Sequence, residues 1–169
     1  MSHTDHTTGA IPFIALATEY CATIEAAPQS EKEEFIARML RLLPRIYITV
    51  SDLSDESSLE DYEPLSPYLD ADTYESIRAS LAALMGEDDT YLETLGEDMA
   101  FSEQAIPASI SEGLADLYQP LLDCAIAVRD SEGVLTQRAA AWARETFTEY
   151  WGLTLTGVLR ALHYIYYNK

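Results

Sequence analysis

Carboxylates at helical spacing come closest to a catalytic pattern in this chain. Glu112 and Asp116 stand four apart, as do Glu145 and Glu149, and Glu19 interrupts the apolar stripe of an N-terminal amphipathic stretch. Residues four apart share a helix face. Facing helices that carry carboxylates can hold magnesium through oxygen ligands and water. The chemistry implied is a magnesium-dependent hydrolase acting on a phosphorylated small molecule through Glu19, Glu112, Asp116, Glu145 and Glu149. A di-iron bundle would need Glu-x-x-His motifs, and none is present: the histidines are His3, His6 and His163. An all-α nucleotide pyrophosphohydrolase would pair Glu-x-x-Glu on one helix with Glu-x-x-Asp on the next. Glu31-x-x-Glu34 matches the first half, but it lies where a helix begins, and no Glu-x-x-Asp stands in the right place after it. The simpler reading of these acids is solvation on polar helix faces.

Three other groups of residues invite a functional reading. His163, among aromatics near the C-terminus, can act as a base at a bundle groove, although a packed, hydrogen-bonded histidine explains it as well. Arg38, Arg41 and Arg45 form the one basic ridge, at three- and four-residue spacing. It reads as an anion site or, more simply, as a docking surface for the acidic middle of the chain. The run His163-Tyr164-Ile165-Tyr166-Tyr167 covers every side of a helix, so some of Tyr164, Tyr166 and Tyr167 must face outward. Exposed amphipathic aromatics suit a protein partner or a homo-oligomer contact. Cys21 and Cys124 lie in apolar helical contexts and read as buried free thiols, without the spacing of a metal site.

Charge narrows the partners. The net charge is -19, and residues 51–103 hold 16 of the 29 acids, with Arg78 as their only cation. Such a chain lacks the clustered positive charge that binds nucleic acid or an anionic membrane. Its 48% apolar content is ample for a core, which argues against disorder. No stretch reaches 18 consecutive apolar residues, and no basic residue precedes the first apolar run. The expectation is a soluble, cytoplasmic protein.

Helices must position these residues. Residues 1–10 read as a flexible tail and 11–169 as one helical domain. A first helix is expected from Pro12 to Ala26. A second follows a Ser30/Glu33 capping box, with a kink or break at Pro44. Residues 51–69 read as a long loop. Asp72-x-x-Glu75 opens a third helix that stops at Gly86, and a short acidic helix is expected over 89–95. The stripe Ile106, Ile110, Leu114, Leu117, Leu121, Ala125, Val128 predicts a long helix with Pro107 in its first turn and a bend at Pro120. A turn at 130–133 leads to a last helix from Thr136 to Tyr167. With no extended alternating run, the class is all-α: an irregular antiparallel bundle of five or six helices carrying an acidic, loop-rich insert at 51–103.

The run IPASISEGLAD at 106–116, then LYQPLLD, and later YWGLTLTGVLRALHYI, resembles a family of bacterial proteins common in gut Bacteroidales, catalogued as domain of unknown function 5063. FIALATEYCATIE at 13–25, FIARMLRLLPRIY at 35–47 and YESIRASL at 74–81 carry the resemblance further along the chain. The resemblance implies an all-helical fold and transfers no catalytic residue or cofactor. The function best supported is a cytoplasmic protein-interaction or structural module that needs no cofactor. The alternative is the magnesium-dependent hydrolase above.

Overall fold

The computed structural model describes residues 9–53, 64–93 and 104–168. Helix α1 spans Ala10–Glu25 and α2 spans Lys32–Ser51, joined by a short 3-10 turn at Ala27–Gln29. Next come α3 (Ala71–Met85), strand β1 (Thr90–Glu93), strand β2 (Ile106–Ser109) and α4 (Ile110–Asp130). Helix α5 (Thr136–Thr146) runs through a π turn, Phe147–Trp151, into α6 (Gly152–Asn168). Counting α5 to α6 as one rod, this is an irregular bundle of five main helices, and the all-α expectation holds. Helix α4 is the central element: α1, α3, α5 and α6 all pack on it. One apolar core runs through all the helices, from Phe13, Tyr20 and Ile24 through Met39 and Ile46 to Leu114, Trp151 and Leu162.

The acidic middle differs from the loop-rich insert expected. Helix α3 buries Leu81 and Met85 completely and is part of the core. Instead of a short acidic helix, residues 90–93 pair antiparallel with 106–109. Neither Thr-Tyr-Leu-Glu nor Ile-Pro-Ala-Ser alternates strictly between apolar and polar residues, so neither announces a strand. Pro107 therefore lies in β2, not in a helix turn, and faces Leu92 across the ladder. The expected tail (residues 1–8), most of the 51–69 loop (residues 54–63) and residues 94–103 lie outside the described residues. Ala10, assigned to the tail from sequence, is the buried first residue of α1.

Caps and prolines also moved. Ser30 makes no capping box; its hydroxyl donates to the Ala26 carbonyl at 2.8 Å, closing the end of α1. The cap of α3 is Asp70 rather than Asp72: its carboxylate accepts from the Thr73 N–H at 2.7 Å. Gly86 ends that helix as expected, at φ 59°, where only glycine is unstrained. Helix α2 continues through Pro44 and α4 through Pro120, because the buried stripes on both sides outweigh one missing hydrogen bond. The last helix is interrupted by the π turn. A Cβ at Gly152 would lie 2.7 Å from the Phe147 carbonyl oxygen, so the widened turn closes over a residue without a side chain.

Candidate functional site

Acids and serines at the start of α4 lock the hairpin in place. The Asp89 carboxylate accepts the Ser111 N–H and hydroxyl, each at 2.7 Å, and the Ser109 hydroxyl at 3.0 Å. The Ile110 N–H donates to the Asp89 carbonyl at 2.8 Å. Negative charge there suits the positive end of the α4 dipole. Lys32, in the first turn of α2, pairs with Asp88. The strand that follows is thereby fixed to two helices.

Helix α6 then meets β1 at Gly157. A Cβ on that glycine would stand 2.7 Å from Glu93 Oε2 and 3.3 Å from the Tyr91 hydroxyl, so a bare backbone permits the approach. One turn on, Arg160 donates to the Leu92 carbonyl at 2.9 Å. Beyond this point a cleft of about 410 Å³ opens. Thr90, Tyr91 and Leu92 line one side and Arg160, Ala161, Tyr164 and Ile165 the other, with Glu87 and Asp88 also in the lining. Partial burial, with the Glu93 charge beside it, pushes the Tyr91 hydroxyl up to about 12, so it remains a neutral donor. Tyr164 is 60% exposed, Tyr166 44% and Tyr167 64%. Two of these rings join His163 in a cluster: Tyr166 meets Tyr167 edge-on at 4.9 Å, and Tyr167 leans on His163 at 4.8 Å. His163 is thus an exposed member of an aromatic patch.

The structure distributes the other candidates over several surfaces. Glu19 lies 3.9 Å from Arg45, linking α1 to α2, while Arg38 and Arg41 stand exposed on α2. Asp116 accepts the Tyr74 hydroxyl at 2.6 Å, binding α3 to α4, and the Glu112 charge acts on the same tyrosine. Desolvation and these acids hold the Tyr74 hydroxyl well above the ordinary phenol range. Glu145 on α5 and Glu149 in the π turn are exposed on another part of the chain. Among the described residues, no three His, Cys, Asp or Glu side chains form a group that could hold a metal ion. The five carboxylates named from sequence therefore do not converge.

A second groove, of about 650 Å³, lies between α1, α4 and residues 68–73. Cys21 lines it, and the Tyr118 hydroxyl donates to Glu25 at its edge at 2.8 Å. Behind Tyr68 the buried Asp123 carboxylate accepts that residue's N–H at 2.8 Å, and burial raises its proton affinity. Both cysteines are buried and free, as the sequence indicates. Sequence reasoning identified the tyrosines but missed Thr90, Leu92 and Arg160. The only trace of the cleft was Gly157, on a helix otherwise free of glycine after Gly152.

Fold and site together define a class: a helical scaffold with an aromatic cleft built between its C-terminal helix and a short hairpin. The chain belongs to the family described as Domain of unknown function (DUF5063), whose model matches residues 4–168. It is similar to the crystal structure of protein BF1032 from Bacteroides fragilis, at 30% sequence identity and a TM-score of 0.81. That likeness covers 95% of this chain and 94% of the other. No curated protein matches the sequence. Among the described residues, no helix is long and apolar enough to cross a membrane.

Proposed function

We propose that this protein is an interaction module whose contact surface is the tyrosine-bearing end of α6 together with the cleft beside β1. The supporting observation is that Tyr164, Tyr166 and Tyr167 all remain exposed on the last two turns of α6, with Tyr164 and Ile165 lining the cleft. Clustered aromatics with polar tips are what protein interfaces enrich. The proposed partner is another protein, not a second copy, because two chains of net charge -19 repel each other. We place the module in the cytoplasm, where its two unpaired thiols suit a reducing compartment.

The test is site-specific photocrosslinking in living cells, with a benzophenone amino acid at Tyr166 and, as control, at exposed Glu33 on α2. A discrete adduct from position 166 alone is expected. Equal adducts from both positions, or none from 166, would overturn the reading. Light scattering of the purified chain separates the homo-oligomer: a dimer that vanishes in Tyr166→Ser/Tyr167→Ser would replace the heterologous partner with a second copy.

A further inference from the structure

The hydrogen-bond parity of the hairpin shows which main-chain groups of β1 face outward. Antiparallel pairs alternate between residues that exchange hydrogen bonds and residues that do not. The Ile110 N–H donates to the Asp89 carbonyl at 2.8 Å, which sets the bonded parity. Two residues along, Tyr91↔Ala108 and then Glu93↔Ile106 are the bonded pairs. Thr90↔Ser109 and Leu92↔Pro107 are the others, and Pro107 has no N–H to offer, in keeping with its place. Thr90 and Leu92 therefore turn their N–H and C=O groups away from β2. Both residues line the cleft, and one outward group, the Leu92 carbonyl, already takes a hydrogen bond from Arg160. Among the described residues, the cleft is thus walled by the outer edge of β1 on one side and by Ala161, Tyr164 and Ile165 on the other.

We propose that the cleft accepts an extended, basic segment of a partner protein, added as a third strand along the outer edge of β1. This rests on the docking reading above and names its partner. A strand edge is a template for another strand, and peptides that bind this way gain affinity from main-chain bonds and specificity from alternate side chains. The alternation here is legible. Side chains on one face of the added strand meet Tyr164 and Ile165, which calls for apolar residues. Those on the other face look to solvent beside Glu87, in a chain of net charge -19, which calls for lysine or arginine. Arg160, the one cation lining the cleft among the described residues, is engaged by the Leu92 carbonyl, one turn from the close contact of Gly157 with Glu93. An acidic or unpatterned segment meets no such complement.

The probe is a phage-displayed library of random short peptides, selected against the whole chain, with the recovered sequences made synthetically. Selected peptides are expected to alternate apolar and basic residues. Leu92→Pro removes one outward N–H that the hairpin does not use, and Leu92 is 58% exposed, so the core loses little. It should weaken peptide binding roughly three- to tenfold, the worth of one hydrogen bond. Tyr164→Ala should weaken it as well. A second measurement does not depend on the variant folding: N-methylating the peptide at successive positions should abolish binding only at every other residue. Binding that responds to Tyr164→Ala but not to Leu92→Pro, with no alternation in the N-methyl scan, would overturn strand addition and leave the docking surface standing. Selection of acidic peptides would overturn the charge argument. Recovery of no peptide, or of peptides indifferent to both substitutions, would overturn the strand proposal and the docking surface together.

Discussion

Gly113 of α4 packs directly against Val158 of α6, and adding a single methyl group there should have opposite effects in two backgrounds. A Cβ at position 113 would stand 2.4 Å from Val158 Cγ2, far inside contact distance, but 3.6 Å from Thr154 Cγ2 and 3.9 Å from Val158 Cβ, both ordinary contacts. Val158 is fully buried and β-branched, so it has little freedom to rotate away. Gly113→Ala gains about 1 kcal/mol of helix propensity. Against this, overpacking of a tight core costs about 1–3 kcal/mol. The net loss is about 1 kcal/mol, or a drop of about 2–4 °C in Tm for a chain of this size. Val158→Ala alone should lose about 2 kcal/mol to the cavity it leaves. With Val158 shortened, Gly113→Ala meets only ordinary contacts and keeps its propensity gain, so the double variant should be more stable than Val158→Ala by about 1 kcal/mol. Urea unfolding followed by tryptophan fluorescence reads all four corners of the cycle. The same sign for Gly113→Ala in both backgrounds would refute the reasoning. Gly157 provides the contrast. Its Cβ would meet Glu93 Oε2 at 2.7 Å and the Tyr91 hydroxyl at 3.3 Å, both ends of side chains rather than a buried branch point, so Gly157→Ala should cost less stability than Gly113→Ala while displacing Glu93 from the contact between α6 and β1.

Arg144 donates to the Ser51 carbonyl at 2.9 Å and to the Leu53 carbonyl, and reaches the Val50 carbonyl at 3.5 Å, closing the C-terminal end of α2. Arg144→Met keeps the stem and removes the donors, and should destabilise by about 1–3 kcal/mol in urea titrations, with Arg144→Lys recovering only part. Asp123 is a buried acid whose burial raises its proton affinity, so the folded chain holds this proton more tightly than the unfolded chain does. Its stability penalty is absent below the ordinary carboxylate range and grows as pH rises through and above it. Asp123→Asn keeps an acceptor for the Tyr68 N–H, and should raise Tm at neutral pH while the gain shrinks toward about pH 3. A gain independent of pH would contradict this. Burial pushes the Cys21 thiol up to about 12, with Glu25 and Asp123 adding to the shift, and burial also raises Cys124. Neither should react with a thiol reagent at mildly alkaline pH until the chain unfolds, so labelling in the native state should follow the opening equilibrium.

Which parts of this structure were legible in the sequence follows from the range of the interactions. The stripes of α1, α2 and α4 repeat over four or more turns, and such periodicity survives any detail of packing. The caps failed where two adjacent polar residues competed. Ser30 closes the helix behind it rather than opening the one ahead, and Asp70 outranks Asp72 because the chain is still extended at residue 70. The hairpin was invisible because its strands do not alternate strictly and lie fifteen-odd positions apart, held by Asp89 reaching Ser109 and Ser111 across that gap. The cleft was invisible for the same reason. It needs Gly157 against Glu93 and Arg160 on Leu92, contacts more than sixty residues apart in sequence. The carboxylates at four-residue spacing were real features of their helices, but shared spacing on two helices does not make their faces meet. Asp116 is taken by Tyr74 and Glu19 is beside Arg45.

The acids that remain after capping set the terms on which any partner arrives. Asp70 and Asp89 cap helices, and Glu75 is clamped by Arg78, so those charges are already occupied inside the fold. The rest leave a strong negative field that acts before contact, steering a basic segment toward the chain and repelling a second copy. The two kinds of association consequently differ in the sign of their salt dependence. Raising ionic strength from about 0.1 M to about 1 M shrinks the screening length from about 10 Å to about 3 Å. A basic strand docking beside Glu87 should associate more slowly and bind more weakly across that range, with most of the loss in the on-rate. A homo-oligomer joined through Tyr164, Tyr166 and Tyr167 should strengthen, because screening removes the repulsion while the aromatic contact is unaffected. Stopped-flow binding of the selected peptide, beside light scattering of the chain alone, reads both trends. Peptide binding that tightens with salt would mean that the aromatic wall dominates recognition and that the charge of this chain plays no part in choosing its partner.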